Sequence, residues 1–150
     1  MNHSYTTIRE AIYDRLDDLD ITLAYPEGWQ QRFRQPAKQL TDLFPAFMVT
    51  PSRDEQSTLD SRDDSDLFVL SVYLFDSFKD AYEAEGDLDV LVGLVRERFR
   101  SERIAKPPLG LDGLYDLSLA GEWGADEERG HRFYRLDITV RAAQEIALPI

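Results

Sequence analysis

Nine consecutive uncharged residues, Leu67-Phe68-Val69-Leu70-Ser71-Val72-Tyr73-Leu74-Phe75, constrain this chain more than any other stretch. Alternation along an extended backbone puts Phe68, Leu70, Val72 and Leu74 on one side and Leu67, Val69, Ser71, Tyr73 and Phe75 on the other. Both sides are mostly apolar, so the segment reads as a strand inside a sheet, covered on both faces. The rest of the chain must supply its strand neighbours and a covering layer.

Three further segments suit the role of neighbours. Leu43 to Pro51 is apolar and bounded by prolines, which predicts a short strand centred on Phe47 to Val49. Leu114 to Ala120 predicts another. Phe133 to Arg141 alternates cleanly, with Tyr134, Leu136, Ile138 and Val140 facing inward and Phe133, Arg135, Asp137, Thr139 and Arg141 facing outward. The covering layer comes from two helical stripes. Tyr5, Ile8, Ile12, Leu16 and Leu19 recur at spacings of three and four, predicting a helix from Thr6 to Asp18. Thr7 with Glu10 forms a candidate capping box, and Ser4 or Thr6 are other possible starts. Leu88, Leu91, Val92, Val95 and Phe99 form the second stripe, with acids before it and Arg96, Arg98, Arg100 and Arg103 near its end, an order that complements the helix dipole. Gly86 is a candidate break near its start, and Pro107-Pro108 stops it. The order helix, two strands, helix, two strands predicts a single α+β domain, a mostly antiparallel four-stranded sheet with helices packed on one face.

The connections are distinctive. From Asp20 to Asp42 periodicity fails, and Pro26, Gly28 and Pro36 punctuate an ordered excursion. Within it, Gly28 to Thr41 holds Arg32, Arg34 and Lys38 with no acid, interleaved with Trp29 and Phe33. Basic and aromatic residues together suit nucleic acid, or a dock for an acidic copy of the same protein. The second reading is preferred because the rest of the surface is so acidic. Ser52 to Asp66 carries six acids, Asp54, Glu55, Asp60, Asp63, Asp64 and Asp66, against Arg53 and Arg62, with almost nothing to bury, so it reads as a mobile loop. Gly121 to Gly130 reads as turns. After the last strand, Ala143 to Ile150 is again apolar, suited to a tail packed on its own domain or to an arm reaching a neighbour.

At 150 residues the chain can bury about 68–70% of its unfolded surface, so a core needs no staples. It has no cysteine, which excludes disulfides, thiolate nucleophiles and cysteine-based metal sites. No apolar run approaches the ~18 residues that span a bilayer, and the first residues lack the pattern of a secretory signal, so a soluble protein of intracellular origin without membrane contact is expected. The net charge is −12, with 18 of the 29 acids Asp and only Lys38, Lys79 and Lys106 as lysines. That surface repels duplex DNA. The same arithmetic suits a halophilic protein, since screening relieves its self-repulsion at high salt, and it also suits an ordinary acidic protein from a GC-rich genome.

Catalytic chemistry finds little support. Only His3 and His131 titrate near neutrality, and no nucleophile elbow or phosphate-cradling glycine loop accompanies them. Asp60, Asp63, Asp64 and Asp66 could hold Ca²⁺, yet their spacing is not that of an EF-hand loop and the glycine it needs is missing. No enzyme and no cofactor is the expectation.

The succession of elements resembles the tail terminator, or tail completion, proteins of tailed phages and related viruses. It consists of the helix with Ile8, Ile12 and Leu16, Phe44-Pro45-Ala46-Phe47-Met48-Val49 entering a strand, the acidic loop, Leu67 to Leu74, the Leu88 to Phe99 helix and the Phe133 to Val140 strand. The resemblance implies a virion protein of the tail and neck, made in the host cytoplasm. It implies a homo-oligomeric ring, of six subunits, that caps the tail tube and stops its polymerisation. Its partners would be the tail tube protein and a neck or head-completion protein, with genomic DNA passing through the lumen without specific binding. A head-closure ring and a cellular acidic binding module are the alternatives. Within this reading Asp54, Glu55, Asp60, Asp63 and Asp64 are the candidate tube- or lumen-facing loop, and Arg32, Arg34, Arg135 and Arg141 the candidate subunit interface.

Overall fold

A computed structural model describes residues 4–34, 43–51, 65–77, 83–126 and 131–143. The elements run α1 (Tyr5–Asp17), β1 (Gln31–Phe33), β2 (Ala46–Pro51), β3 (Ser65–Ser77), α2 (Glu83–Ile104), a 3-10 turn (Pro108–Gly110), β4 (Leu114–Asp126) and β5 (His131–Ala143). The fold is α+β, as the hydrophobic pattern requires. The sheet has five strands rather than four, in the order β1-β2-β3-β5-β4. It is mixed, because β1 pairs parallel with β2 while every other pairing is antiparallel.

Register explains which side of the sheet is buried. Phe47 lies opposite Leu74 and Val49 opposite Val72, while Val72 lies opposite Leu136 and Leu70 opposite Ile138. These residues share one face and are almost fully buried. Ile8, Ile12 and Leu16 of α1 and Leu88, Leu91, Val95 and Phe99 of α2 join them in one core, so both helices cover the same face. Edge-to-face ring contacts, Tyr5 on Phe68 at 4.9 Å and Tyr13 on Phe47 at 5.2 Å, seat α1 across β2 and β3. Ser4 is the cap of α1, its hydroxyl accepting from the Thr7 N–H at 3.2 Å, so the Thr7–Glu10 capping box does not form. Helix α2 runs through Gly86 without a break, because a single glycine costs only about 1 kcal/mol in a helix this long.

Two expectations change. Among the described residues only one face of β3 is covered by helices; on the other, Leu67, Val69 and Tyr73 are half-buried, while Ser71 and Phe75 are buried. Strand β4 also continues through Gly121, Glu122, Trp123 and Gly124 to Asp126, where turns were expected. The glycines there serve packing. A Cβ on Gly121 would lie 1.6 Å from the Tyr134 hydroxyl oxygen, and one on Gly124 would lie 2.3 Å from the Phe133 ring. Each aromatic side chain of β5 lies across a glycine of β4.

Candidate functional site

The face of the sheet turned away from the two helices is built in cross-strand rows. One row joins Met48, Tyr73, Arg135 and Glu122, and the next joins Thr50, Ser71, Asp137 and Ala120. The charges along it are matched. The Arg135 guanidinium donates to Glu122 at 3.1 Å and lies 3.5 Å from Asp137, which accepts from the Ser71 hydroxyl at 2.7 Å. The nearby Asp137 carboxylate above all holds Arg135 firmly charged, more than its ordinary value requires. Further along, Arg141 lies 4.0 Å from Asp116. At the opposite end Tyr73, Phe75 and Phe133 form an aromatic cluster with ring separations of 5.7–6.1 Å.

Arg32 and Arg34 lie elsewhere. Arg32 stands opposite Phe47, on the helix-covered side, and pairs with Asp17 at the end of α1. Arg34 pairs with Glu10 at 3.0 Å, and its guanidinium lies 3.8 Å from the Tyr13 ring centroid. The four arginines thus form two groups, one beside the β1 edge and one beside the β4 edge. Trp29, read from sequence as part of an exposed basic and aromatic island, is a core residue. It is only 6% exposed, contacts Phe47 at 4.7 Å and donates its indole N–H to the Leu16 carbonyl at 2.8 Å. A ring so placed cannot stack on a base.

Asp54, Glu55, Asp60, Asp63 and Asp64, together with Lys38, His3 and Ala143's successors 144–150, lie outside the described residues. His131 is the first residue of β5, opposite Ser77 and Asp126. Among the described residues no three His, Asp or Glu side chains are arranged to hold a metal ion. Among the described residues no helix is long and apolar enough to cross a membrane. Neither protein-family models nor curated proteins give a match to this chain.

What remains distinctive is the pair of sheet edges. Strand β4 spans 13 residues and, among the described residues, pairs only with β5, which leaves its outer row of N–H and C=O groups without a strand partner. Asp116 and Glu122 stand on it, 59% and 70% exposed. The other edge, β1, has three residues, with Arg32 in the middle, and Arg34 follows it. Sequence reasoning missed the β4 edge because Gly121 and Gly124 signal turns; the signal against turns was Trp123 between them, an aromatic residue at strand spacing.

Proposed function

We propose that this chain is the tail terminator of a tailed virus, a non-enzymatic protein that closes into a six-membered ring, caps the tail tube and offers the neck its docking surface. The observation that carries the reading is the inequality of the two sheet edges. A contact between the β4 side of one copy and the β1 side of the next is heterologous, and a heterologous contact closes into a ring when its rotation closes. The β4 side carries Asp116 and Glu122 and the β1 side carries Arg32 and Arg34; each is ion-paired within its own chain, so charge complementarity acts at this contact by sharing those pairs between copies. Arg135 and Arg141, ion-paired to those acids, belong to the first of the two surfaces.

The net charge of −12 supports the same role. A negative wall gives passing DNA none of the counterion release that binds proteins to it, so the genome slides without sticking. In this proposal the segment with Asp54, Glu55, Asp60, Asp63 and Asp64 faces the lumen or the tube.

Adding the purified protein to polymerising tail tube protein tests the assignment. The expected result is arrested elongation with a ring visible at one tube end. Tubes that elongate unchanged beside a ring of this protein would point to a head-closure ring, and a monomer indifferent to tubes would point to an acidic binding module.

A further inference from the structure

Arg15, Arg98 and Arg135 each meet a carboxylate at 2.8–3.1 Å, whereas Arg96, half-buried on α2, meets none among the described residues. Its guanidinium donates to the Tyr134 hydroxyl at 2.5 Å, and its Nε has no hydrogen-bond partner. That hydroxyl lies over Gly121 of β4, where a Cβ would come within 1.6 Å of it. The cation is therefore held above the edge strand, on the helix-covered side of the sheet. A partly buried charge without a counter-ion is costly, and a carboxylate brought to its remaining N–H groups relieves that cost.

A carboxylate in the converse position stands beside the other edge. Glu10, Asp14 and Asp17 recur at spacings of four and three, on one side of α1. Glu10 pairs with Arg34 and Asp17 with Arg32, so this side of the helix faces β1. Asp14, between them, is exposed and has no ion pair among the described residues. It also lies in the last turn of α1, where the helix dipole disfavours a negative charge. A third residue fits the same contact. Gly93, one turn before Arg96, is exposed in mid-helix, where alanine would be better by about 1 kcal/mol. A Cβ there would meet nothing within 4 Å, so packing within the chain gives no reason for the glycine.

We propose that, where β4 of one copy meets β1 of the next, Arg96 of the first takes the Asp14 carboxylate of the second, with the second copy's α1 approaching over Gly93. This rests on the ring reading above and names the ion pair that locks its contact. A single repeated rotation keeps the helix-covered faces of successive copies on the same side of the joined sheet. Helix α1 lies over β2, through Tyr13 on Phe47, and α2 reaches β5 through Arg96 on Tyr134. From β5 through β4 and the next copy's β1 to its β2 is three strand spacings, about 14 Å, a gap between helices that an arginine side chain can bridge.

Arg96→Glu and Asp14→Arg test the pair, each weighed by multi-angle light scattering at the salt where the native chain forms rings. Alone, each variant brings like charges together at every contact, and its assembly midpoint should rise tenfold or more. An equimolar mixture should restore the ring, because two kinds of copy alternating around six positions join opposite charges at every contact. If Arg96→Glu does not fold, Arg96→Gln combined with Asp14→Arg in one chain should assemble more readily than Asp14→Arg alone. Gly93→Trp should also raise the midpoint, and a ring indifferent to it would overturn the approach over Gly93. Native-like rings from both charge variants, or a mixture no better than either, would overturn the ion pair and leave the ring reading standing. A native chain that stays monomeric at every salt would overturn both.

Discussion

Glu102 is an acidic side chain only 5% exposed, and its partners explain how it is accommodated. Its carboxylate accepts from Arg15 of α1 at 3.0 Å, from Arg98 one turn back at 2.8 Å, and from the Leu109 N–H at 2.9 Å. Leu109 sits in the left-handed region (φ 57°), a conformation that costs a leucine about 1–2 kcal/mol and that the hydrogen bond and the burial of its side chain offset. One residue thus ties both helices to the turn that feeds β4. Glu102→Ala leaves two part-exposed arginines and the buried Leu109 N–H without their partner and should lower the unfolding free energy by about 1–3 kcal/mol in a urea titration; an unchanged unfolding free energy would show that the three contacts do not tie the elements together. Gly121→Ala should cost about 1–3 kcal/mol because its methyl collides with the Tyr134 side chain, and Tyr134→Leu in the same chain should recover part of that loss. Tyr25 gives a dependence on pH. Its burial, and then its hydrogen bond to the buried Asp76, push the phenol far above its ordinary value of ~10. The folded state therefore holds that proton more tightly than the unfolded state. The stabilisation is complete below about pH 10 and is lost as pH rises further. Stability measured from about pH 9 to about pH 11 should fall more steeply for the native chain than for Tyr25→Phe.

At the level of elements, both helices, the two inner strands and the inward face of Phe133 to Arg141 were legible because their apolar residues repeat with the right period and are buried where the period puts them. Strand β1 was not legible. Gln31, Arg32 and Phe33 have no strand pattern of their own and are held by parallel pairing to β2, a tertiary fact. The far half of β4 was hidden by Gly121 and Gly124, whose reason is the aromatic residues lying over them from another strand. The candidate interface was legible as charge but not as geometry: sequence grouped Arg32, Arg34, Arg135 and Arg141, while the sheet order sets them at opposite edges. Surface ion pairs such as Arg34–Glu10 add little to stability, so Arg34→Glu should leave the unfolding midpoint nearly unchanged while weakening assembly. Deleting 54–64 should likewise preserve folding and abolish tail joining in a complementation assay. Normal virions from that deletion would remove the loop from the proposed tube- or lumen-facing surface.

For the whole molecule, the proposed ring requires that the unequal edges β4 and β1 meet between copies with a rotation that closes. The sheet explains why this is the contact to test: its helix-covered face is filled by its own core, and the outer row of β4 has no strand partner among the described residues. High salt separates the two roles of charge, since screening relieves the self-repulsion of a −12 chain and weakens the attraction between the acidic and basic edges. The decisive measurement is native mass by multi-angle light scattering at low and at multimolar salt, with image averaging of any large species, on the native chain and on Ser118→Lys with Ala120→Lys. Both substitutions lie on exposed positions of β4, where added lysines blunt an edge without touching the core. The account predicts a six-subunit ring for the native chain in at least one salt condition and a monomer for the edge variant with an unchanged unfolding midpoint. A two-fold dimer, or a ring that survives the charged edge, would contradict it.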